Sequence, residues 1–206
     1  MMKYCKQCIY ETLPYHTTTF AAQAFIFFEG SPLSYVYRIK EGFVKINRIH
    51  PNGDEKTFDI LGPGDYVALL AVLQGKDIYI ATAIALTKVV AIKIEVDDVL
   101  KAYQSNDRFQ SICLRCAVTR STMFQDKLFQ TANIDTEDKI LSTLQLLARK
   151  FGKMNQGRME IELPFSKTEL ANIIGIRRET LSRKLSKMQK AHIIQIDKNK
   201  YILDRV

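Results

Sequence analysis

Across residues 12–94, apolar and polar positions alternate in short runs separated by glycine turns, and this period-two pattern predicts strands. The clearest runs are 24–28, 35–39, 43–46, 56–60, 80–86 and 89–94. Between them stand Glu29-Gly30-Ser31-Pro32, Lys40-Glu41-Gly42, Pro51-Asn52-Gly53-Asp54 and Gly62-Pro63-Gly64-Asp65. Asn52-Gly53 is a strong hairpin signal, because a type I′ turn needs positive φ at both central positions. Many short strands at even spacing point to a small barrel or roll.

After residue 96 the period changes to that of a helix. Residues 97–103 predict a short helix and 107–131 a long one. On the long helix Phe109, Ile112, Cys116, Thr119 and Met123 form one stripe, and Cys113, Ala117, Phe124 and Leu128 an adjoining one. Two apolar stripes let a helix pack both on its own domain and on a partner helix, so this is the expected dimerisation element. Asp135 or Thr136 can cap the next helix, whose face is Ile140, Leu141, Leu144, Leu147, Ala148 and Phe151, with Gly152 as its stop. Residues 152–157 read as a polar loop.

Residues 166–185 carry the most specific pattern. Ser166 with Glu169 three residues on is a capping box. Leu170, Ile173 and Ile174 give the helix that follows a buried face, and Gly175 permits a sharp turn. In the second helix Leu181, Leu185 and Met188 fall inward. Glu179, Ser182 and Arg183 share the opposite side, with Arg178 at its edge. The pattern predicts a helix-turn-helix, the motif that presents a helix to the major groove of double-stranded DNA. Arginine can pair bidentately with guanine, and a carboxylate accepts from cytosine N4, so Arg178, Glu179, Ser182 and Arg183 are the expected base readers. A Glu179–Arg183 pair at i, i+4 is the structural role to weigh against that. Residues 193–203 read as a hairpin, which makes the module winged. Lys198 and Lys200 at its tip, with Lys167, Lys184 and Lys187, are the expected phosphate contacts; these set affinity and salt dependence, not sequence choice.

Charge follows the same division. From Ile134 onward there are 15 Lys and Arg against 9 Asp and Glu, so +6 of the formal +8 sits in the last third of a 206-residue chain. That suits a polyanionic partner. No apolar run approaches the roughly 18 residues that cross a bilayer. With no signal-peptide pattern at the start, the chain is expected to be cytoplasmic, without a membrane partner, and its four cysteines are not expected to form a disulfide framework.

Taken together these features resemble the CRP/FNR family of bacterial transcription regulators over nearly the whole length. The markers are the turns at Gly30, Gly42, Gly53 and Gly62-Pro63-Gly64-Asp65, the long helix, and Arg178-Glu179-Thr180-Leu181-Ser182-Arg183. The resemblance implies an α+β fold: a double-stranded β-roll of the cyclic-nucleotide-binding jelly-roll type over 1–105, a dimerisation helix over 106–133, and a winged helix-turn-helix over 134–206. It implies a homodimer that reads a palindromic promoter site and works with RNA polymerase, not an enzyme. It also implies that Glu179 and Arg183 read a core resembling TGA. Arg178 looks like the guanine reader of the cyclic-AMP branch and Ser182 like the serine of the FNR branch. The nucleotide signature departs: where that branch has Gly-Glu-Leu and Arg-Ser-Ala, this chain has Ala68-Leu69-Leu70 and Tyr79-Ile80-Ala81. Leucine cannot accept the ribose bond and tyrosine brings no charge to the phosphate, so cyclic AMP is not the expected ligand.

The signal is sought in two cysteine pairs, Cys5 with Cys8 and Cys113 with Cys116. Four converging thiolates would suit zinc, a reversible disulfide or an iron–sulfur cluster, the first two ranking ahead of the third. Lys3, Lys6 and Arg115 would favour thiolate. The pattern resembles the FNR-like proteins of Gram-positive bacteria called FLP, associated with dithiol–disulfide sensing, more than FNR itself, because only two cysteines lie near the N-terminus and Ala91 takes the roll position. The plain alternative is that Cys113 and Cys116 are small core residues. An organic effector would sit near Leu69, Leu70, Tyr79, Met123 and Phe124, and a constitutive binder would sense nothing. A cupin-type metalloenzyme is the rival from another class, but His16, His50 and His192 are too scattered for its metal site.

Overall fold

The alternating half of the sequence forms antiparallel strands in the computed structural model, which describes residues 13–49, 55–131 and 135–203. Contacts divide the chain into two units, Met1–Met123 and Phe124–Val206. In the first, eight strands among the described residues make two four-stranded sheets. They are β1 (His16–Phe20), β2 (Phe25–Phe27), β3 (Tyr35–Glu41), β4 (Val44–Ile49), β5 (Glu55–Leu61), β6 (Tyr66–Val67), β7 (Thr82–Ala85) and β8 (Val89–Glu95). One sheet runs β1-β8-β3-β6 and the other β2-β7-β4-β5.

Period-two geometry explains the core. Tyr37 and Ile39 on β3 and Ala91 on β8 face Val44, Ile46, Ala83 and Ala85 of the other sheet. The alternate residues Val36, Ile92 and Ile94 fall in a second cluster with Leu69, Val99, Phe109, Ile112 and Cys113. The central strands β3 and β8 are therefore buried on both faces over most of their length. The helices covering the second face are α1 (Leu69–Leu73), α2 (Val96–Ser105) and the first half of α3 (Asp107–Thr131). Arg120 fastens α3 to the roll, donating to the Tyr66 carbonyl at 3.3 Å and pairing with Asp59 at 3.6 Å.

Several expectations change. The run 80–86 shortens to Thr82–Ala85, and His16–Phe20 is a strand that no strong alternation announced. On α3, Phe109, Ile112 and Cys113 are buried, but Leu114 and Val118, in neither predicted stripe, stand outward at 66% and 56% exposure. Residues 152–157, read as a loop, instead contain β9 (Lys153–Asn155) and the turn into β10 (Arg158–Glu162). Among the described residues no helix is long and apolar enough to cross a membrane. Cys5, Cys8, His50 and the Asn52-Gly53 turn lie outside the described residues, as does the Met123 side chain.

Candidate nucleic-acid interface

The second unit builds its outward helix from local signals. Asp135 caps α4 (Thr136–Phe151), its carboxylate accepting from the Thr136 N–H at 2.6 Å. Ser166 caps α5 (Lys167–Ile174): its hydroxyl accepts from the Glu169 N–H at 3.2 Å, the N-cap bond expected of a capping box. Gly175 then turns the chain at φ 79°, ψ 38°, and the N–H groups of Gly175 and Ile176 both donate to the Ala171 carbonyl. No heavy atom lies within 4 Å of where a Cβ on Gly175 would sit, so the backbone angle, not space, asks for glycine.

The turn delivers α6 (Arg178–Lys190), with Arg177 as its extended N-cap. Leu181, Leu185 and Met188 are fully buried against α4, α5 and the small sheet, whose order is β11 (Ile194–Asp197), β12 (Lys200–Leu203), β10, β9. Burying each such side chain is worth about 1.5–3 kcal/mol, enough to fix the rotation of the helix about its axis. That rotation leaves Arg178, Glu179, Ser182 and Arg183 exposed, and these four with Ser186 line one open concavity. Ser186 was not expected; its spacing of four from Ser182 was the available signal, and its hydroxyl donates to the Ser182 carbonyl at 3.0 Å. The Glu179–Arg183 pair weighed as the alternative structural role does not form: among the described residues, the ion pairs of this helix are those of Lys184 and Lys187.

The lysines divide into two groups. Lys167, in the first turn of α5, is exposed, and so is Lys198 at the tip of the β11–β12 hairpin, at φ 52°. The other three meet carboxylates of their own unit. Lys184 and Lys187 both reach Oε1 of Glu137 at 2.9 Å, and Lys200 reaches Glu160 at 2.8 Å. Hydrogen bonds from Lys187 and Lys184 hold Glu137 below the usual carboxylate range, and those from Lys200 and Asn155 do the same for Glu160. Three of the five expected phosphate contacts, Lys184, Lys187 and Lys200, thus carry ion pairs within their own unit. Lys184 in particular is half-buried, because it lies beside the apolar face of α6.

In the first unit the candidate sensing residues are placed unevenly. Cys113 is buried, and burial, with the neighbouring Cys116 adding to it, pushes its thiol up to about 12. The expected thiolate is therefore not favoured there. Cys116 is half-buried against the same cluster. Among the described residues no group of three His, Cys, Asp or Glu could hold a metal ion. Of the expected effector residues, Leu69 and Tyr79 belong to the packed core and Leu70 is half-buried. Phe124, in the second unit, is exposed.

A β-roll, a long helix and a winged helix-turn-helix with a polar, charged outward face define the class as a DNA-binding transcription regulator. The family model for the cyclic nucleotide-binding domain matches residues 17–106, and that for the Crp-like helix-turn-helix domain matches residues 138–206. The chain is 29% identical over 183 residues to the global nitrogen regulator of Nostoc sp. strain PCC 7120, covering 88% of this chain and 82% of that protein. It is 26% identical over 177 residues to the regulatory protein HlyX of Actinobacillus pleuropneumoniae, covering 86% and 72%. The structure of FixK2 from Bradyrhizobium japonicum superposes with a TM-score of 0.79 over 94% of each chain at 18% identity, a likeness of fold. The chain belongs to the CRP/FNR family of transcription regulators.

Proposed function

We propose that this protein is a homodimer that reads a palindromic promoter site, inserting α6 of each copy into the major groove, and that it acts on RNA polymerase at that promoter and not as an enzyme. The observation that carries the reading is the division of α6. Three apolar side chains are buried, while Arg178, Glu179, Ser182 and Arg183 stand together in the open. An acid on a face meeting a polyanion is unfavourable unless it accepts from a base edge, and cytosine N4 is the donor that suits Glu179. Lys167 and Lys198 supply phosphate contacts at either side of the reading helix. Leu114 and Val118, one helical turn apart on α3 and turned away from the roll core, are the apolar surface that a second copy would cover. On this reading the functional parts are a sensor at 1–105, a dimer helix at 106–133 and a DNA-binding part at 134–206, in the cytoplasm.

The test is selection from a random duplex library followed by footprinting. The reading requires an enriched inverted repeat, with half-sites about one helical turn apart and a core resembling TGA. Enrichment of no sequence over the starting pool would overturn it.

For the signal, the cysteines remain the proposal, in a narrowed form. Cys113 acts as a core residue, which leaves Cys116 as the reactive member of its pair. Leu13 and Cys116 both pack against the cluster that contains Cys113. Cys8 precedes Leu13 by five residues, a chain length that spans at most about 18 Å. A Cys8–Cys116 or Cys5–Cys116 disulfide, in the manner of the FLP group, ranks ahead of zinc, and zinc ahead of an iron–sulfur cluster; cyclic AMP is not the signal. Operator affinity is to be compared for oxidised, reduced, zinc-loaded and metal-free protein, with free thiols counted in each. Equal affinity in all four would remove the cysteines and leave an organic effector or a constitutive binder.

A further inference from the structure

One carboxylate oxygen, Oε1 of Glu137, accepts from two ammonium groups of α6, Lys184 and Lys187, each at 2.9 Å. The three side chains are not equivalent. Lys184 and Glu137 are mostly shielded, at 23% and 20% exposure, whereas Lys187 is 69% exposed. At about 100° per residue, Lys187 lies about 40° beyond Arg183, at the margin of the base-reading face, and Lys184 about 100° beyond it, next to the core. Glu137 sits in the first turn of α4, where the helix N-terminus favours a negative charge. Asp135, the cap of the same helix, adds its field at Lys187. The carboxylate is thus held in place by the helix end and by Lys184, and Lys187 is drawn to it from the edge of the reading surface.

We propose that Glu137 withholds Lys187 from the DNA backbone, so that a lysine placed to meet a phosphate adds nothing to affinity while the carboxylate holds it. This rests on the DNA-binding reading of α6. A phosphate reaching Lys187 would have to replace a charge-assisted bond already made, and the exchange yields little. A lysine that neutralises no phosphate also releases no counterion. It is therefore missing from the salt dependence of binding, which falls by about 0.9 in the log–log slope for each phosphate left out. Glu137 is a positioning residue in this scheme, lowering sequence-independent affinity relative to base readout.

The experiment measures binding of the full chain to a fluorescent duplex of random sequence across a salt series. The variants are Glu137→Gln, Lys187→Gln and the two combined. Glutamine still accepts a hydrogen bond from Lys184, and thermal unfolding of each variant confirms that the fold is kept. Lys187→Gln alone is expected to leave the slope unchanged. Glu137→Gln should tighten binding and steepen the slope by about 0.9 for each copy on the DNA. The combined variant should lose that gain. A slope flattened by Lys187→Gln alone, or a gain that survives in the combined variant, would overturn the proposal and leave DNA binding itself intact. Absence of salt-dependent duplex binding by the unmodified protein would instead overturn the DNA-binding reading, and this proposal with it.

Discussion

Tyr79 lies face to face with Phe27 inside the roll, their ring centroids 3.7 Å apart and their planes 9° from parallel. Its hydroxyl donates to the Tyr35 carbonyl at 2.9 Å, accepts from the Tyr35 N–H at 3.2 Å and is hydrogen-bonded by the Tyr37 hydroxyl. Burial raises both phenols above their ordinary values. Tyr79, which the resemblance sets against the arginine of the cyclic-AMP branch, thus works here as packing with a satisfied polar end. Tyr79→Ala should cost about 3–5 kcal/mol, as large aromatic truncations in cores do. Tyr79→Phe, which keeps the stack and strands the Tyr35 groups, should cost about 1–2 kcal/mol. Urea unfolding separates the two, and an alanine variant with an unchanged midpoint would contradict the packing.

Ala68 stands in the left-handed region at φ 70°, ψ −6°, just ahead of α1. A Cβ is unfavourable there, and glycine adopts the same angles without that penalty. Ala68→Gly should therefore stabilise the protein by about 0.5–1 kcal/mol. Gly175→Ala is the mirror case: no neighbour meets the new Cβ, so the cost is the backbone angle alone, again about 1 kcal/mol. Denaturation midpoints moving in opposite directions would bear out both, and a destabilised Ala68→Gly would show that other contacts hold that turn.

How well each element could be read from the sequence follows from how local its cause is. The Ser166 cap, the Gly175 turn and the inward set Leu181, Leu185 and Met188 are set within a few residues, and all three came out as the sequence pattern implied. Strand β9 did not, because Lys153, Met154 and Asn155 are all exposed on a sheet edge. An edge strand without a buried side has no alternation to show. Strand β1, with its three threonines, is likewise held by a distant partner, pairing His16–Phe20 with Val89–Lys93 of β8. At the interface, the outward face of α6 was legible from helical period alone. The capture of Lys184 and Lys187 by Glu137 was not, since it joins residues 47 and 50 positions apart.

Cys113 supplies a test in pH. Its folded-state thiol is raised from 9.0 to about 12. Below pH 9 the thiol is protonated in both states and pH has no effect through it. Between about 9 and 12 the unfolded chain gives up a proton that the folded chain keeps, so stability falls as pH rises. One proton sets the limit at about 1.4 kcal/mol per pH unit. Unfolding free energies measured at pH 8, 9 and 10 should show a smaller decline in Cys113→Ala than in the unmodified protein. Tyr79 and Tyr201, raised in the same direction, contribute equally to both and cancel in the difference. Iodoacetamide in the folded state should correspondingly modify the half-buried Cys116 well before Cys113. Equal labelling of the two would mean that burial does not govern the thiol.

Arg183 offers the sharpest division between reading bases and holding phosphates. It stands on the open face of α6, and no ion pair among the described residues engages it. Arg183→Ala should weaken binding to the selected palindrome by about 1–3 kcal/mol and relax base preference at one position of each half-site. Arg183→Lys keeps the charge but not the planar two-bond fork, so it should lose most of that discrimination while keeping the salt slope. Lys198→Gln should behave oppositely: uniform weakening on selected and random duplexes, a slope shallower by about 0.9 for each copy on the DNA, and no change in the preferred sequence. Library selection with each variant checks all three. If Arg183→Ala weakens every duplex alike, Arg183 is a phosphate contact, and the base-reading role passes to Arg178 and Glu179.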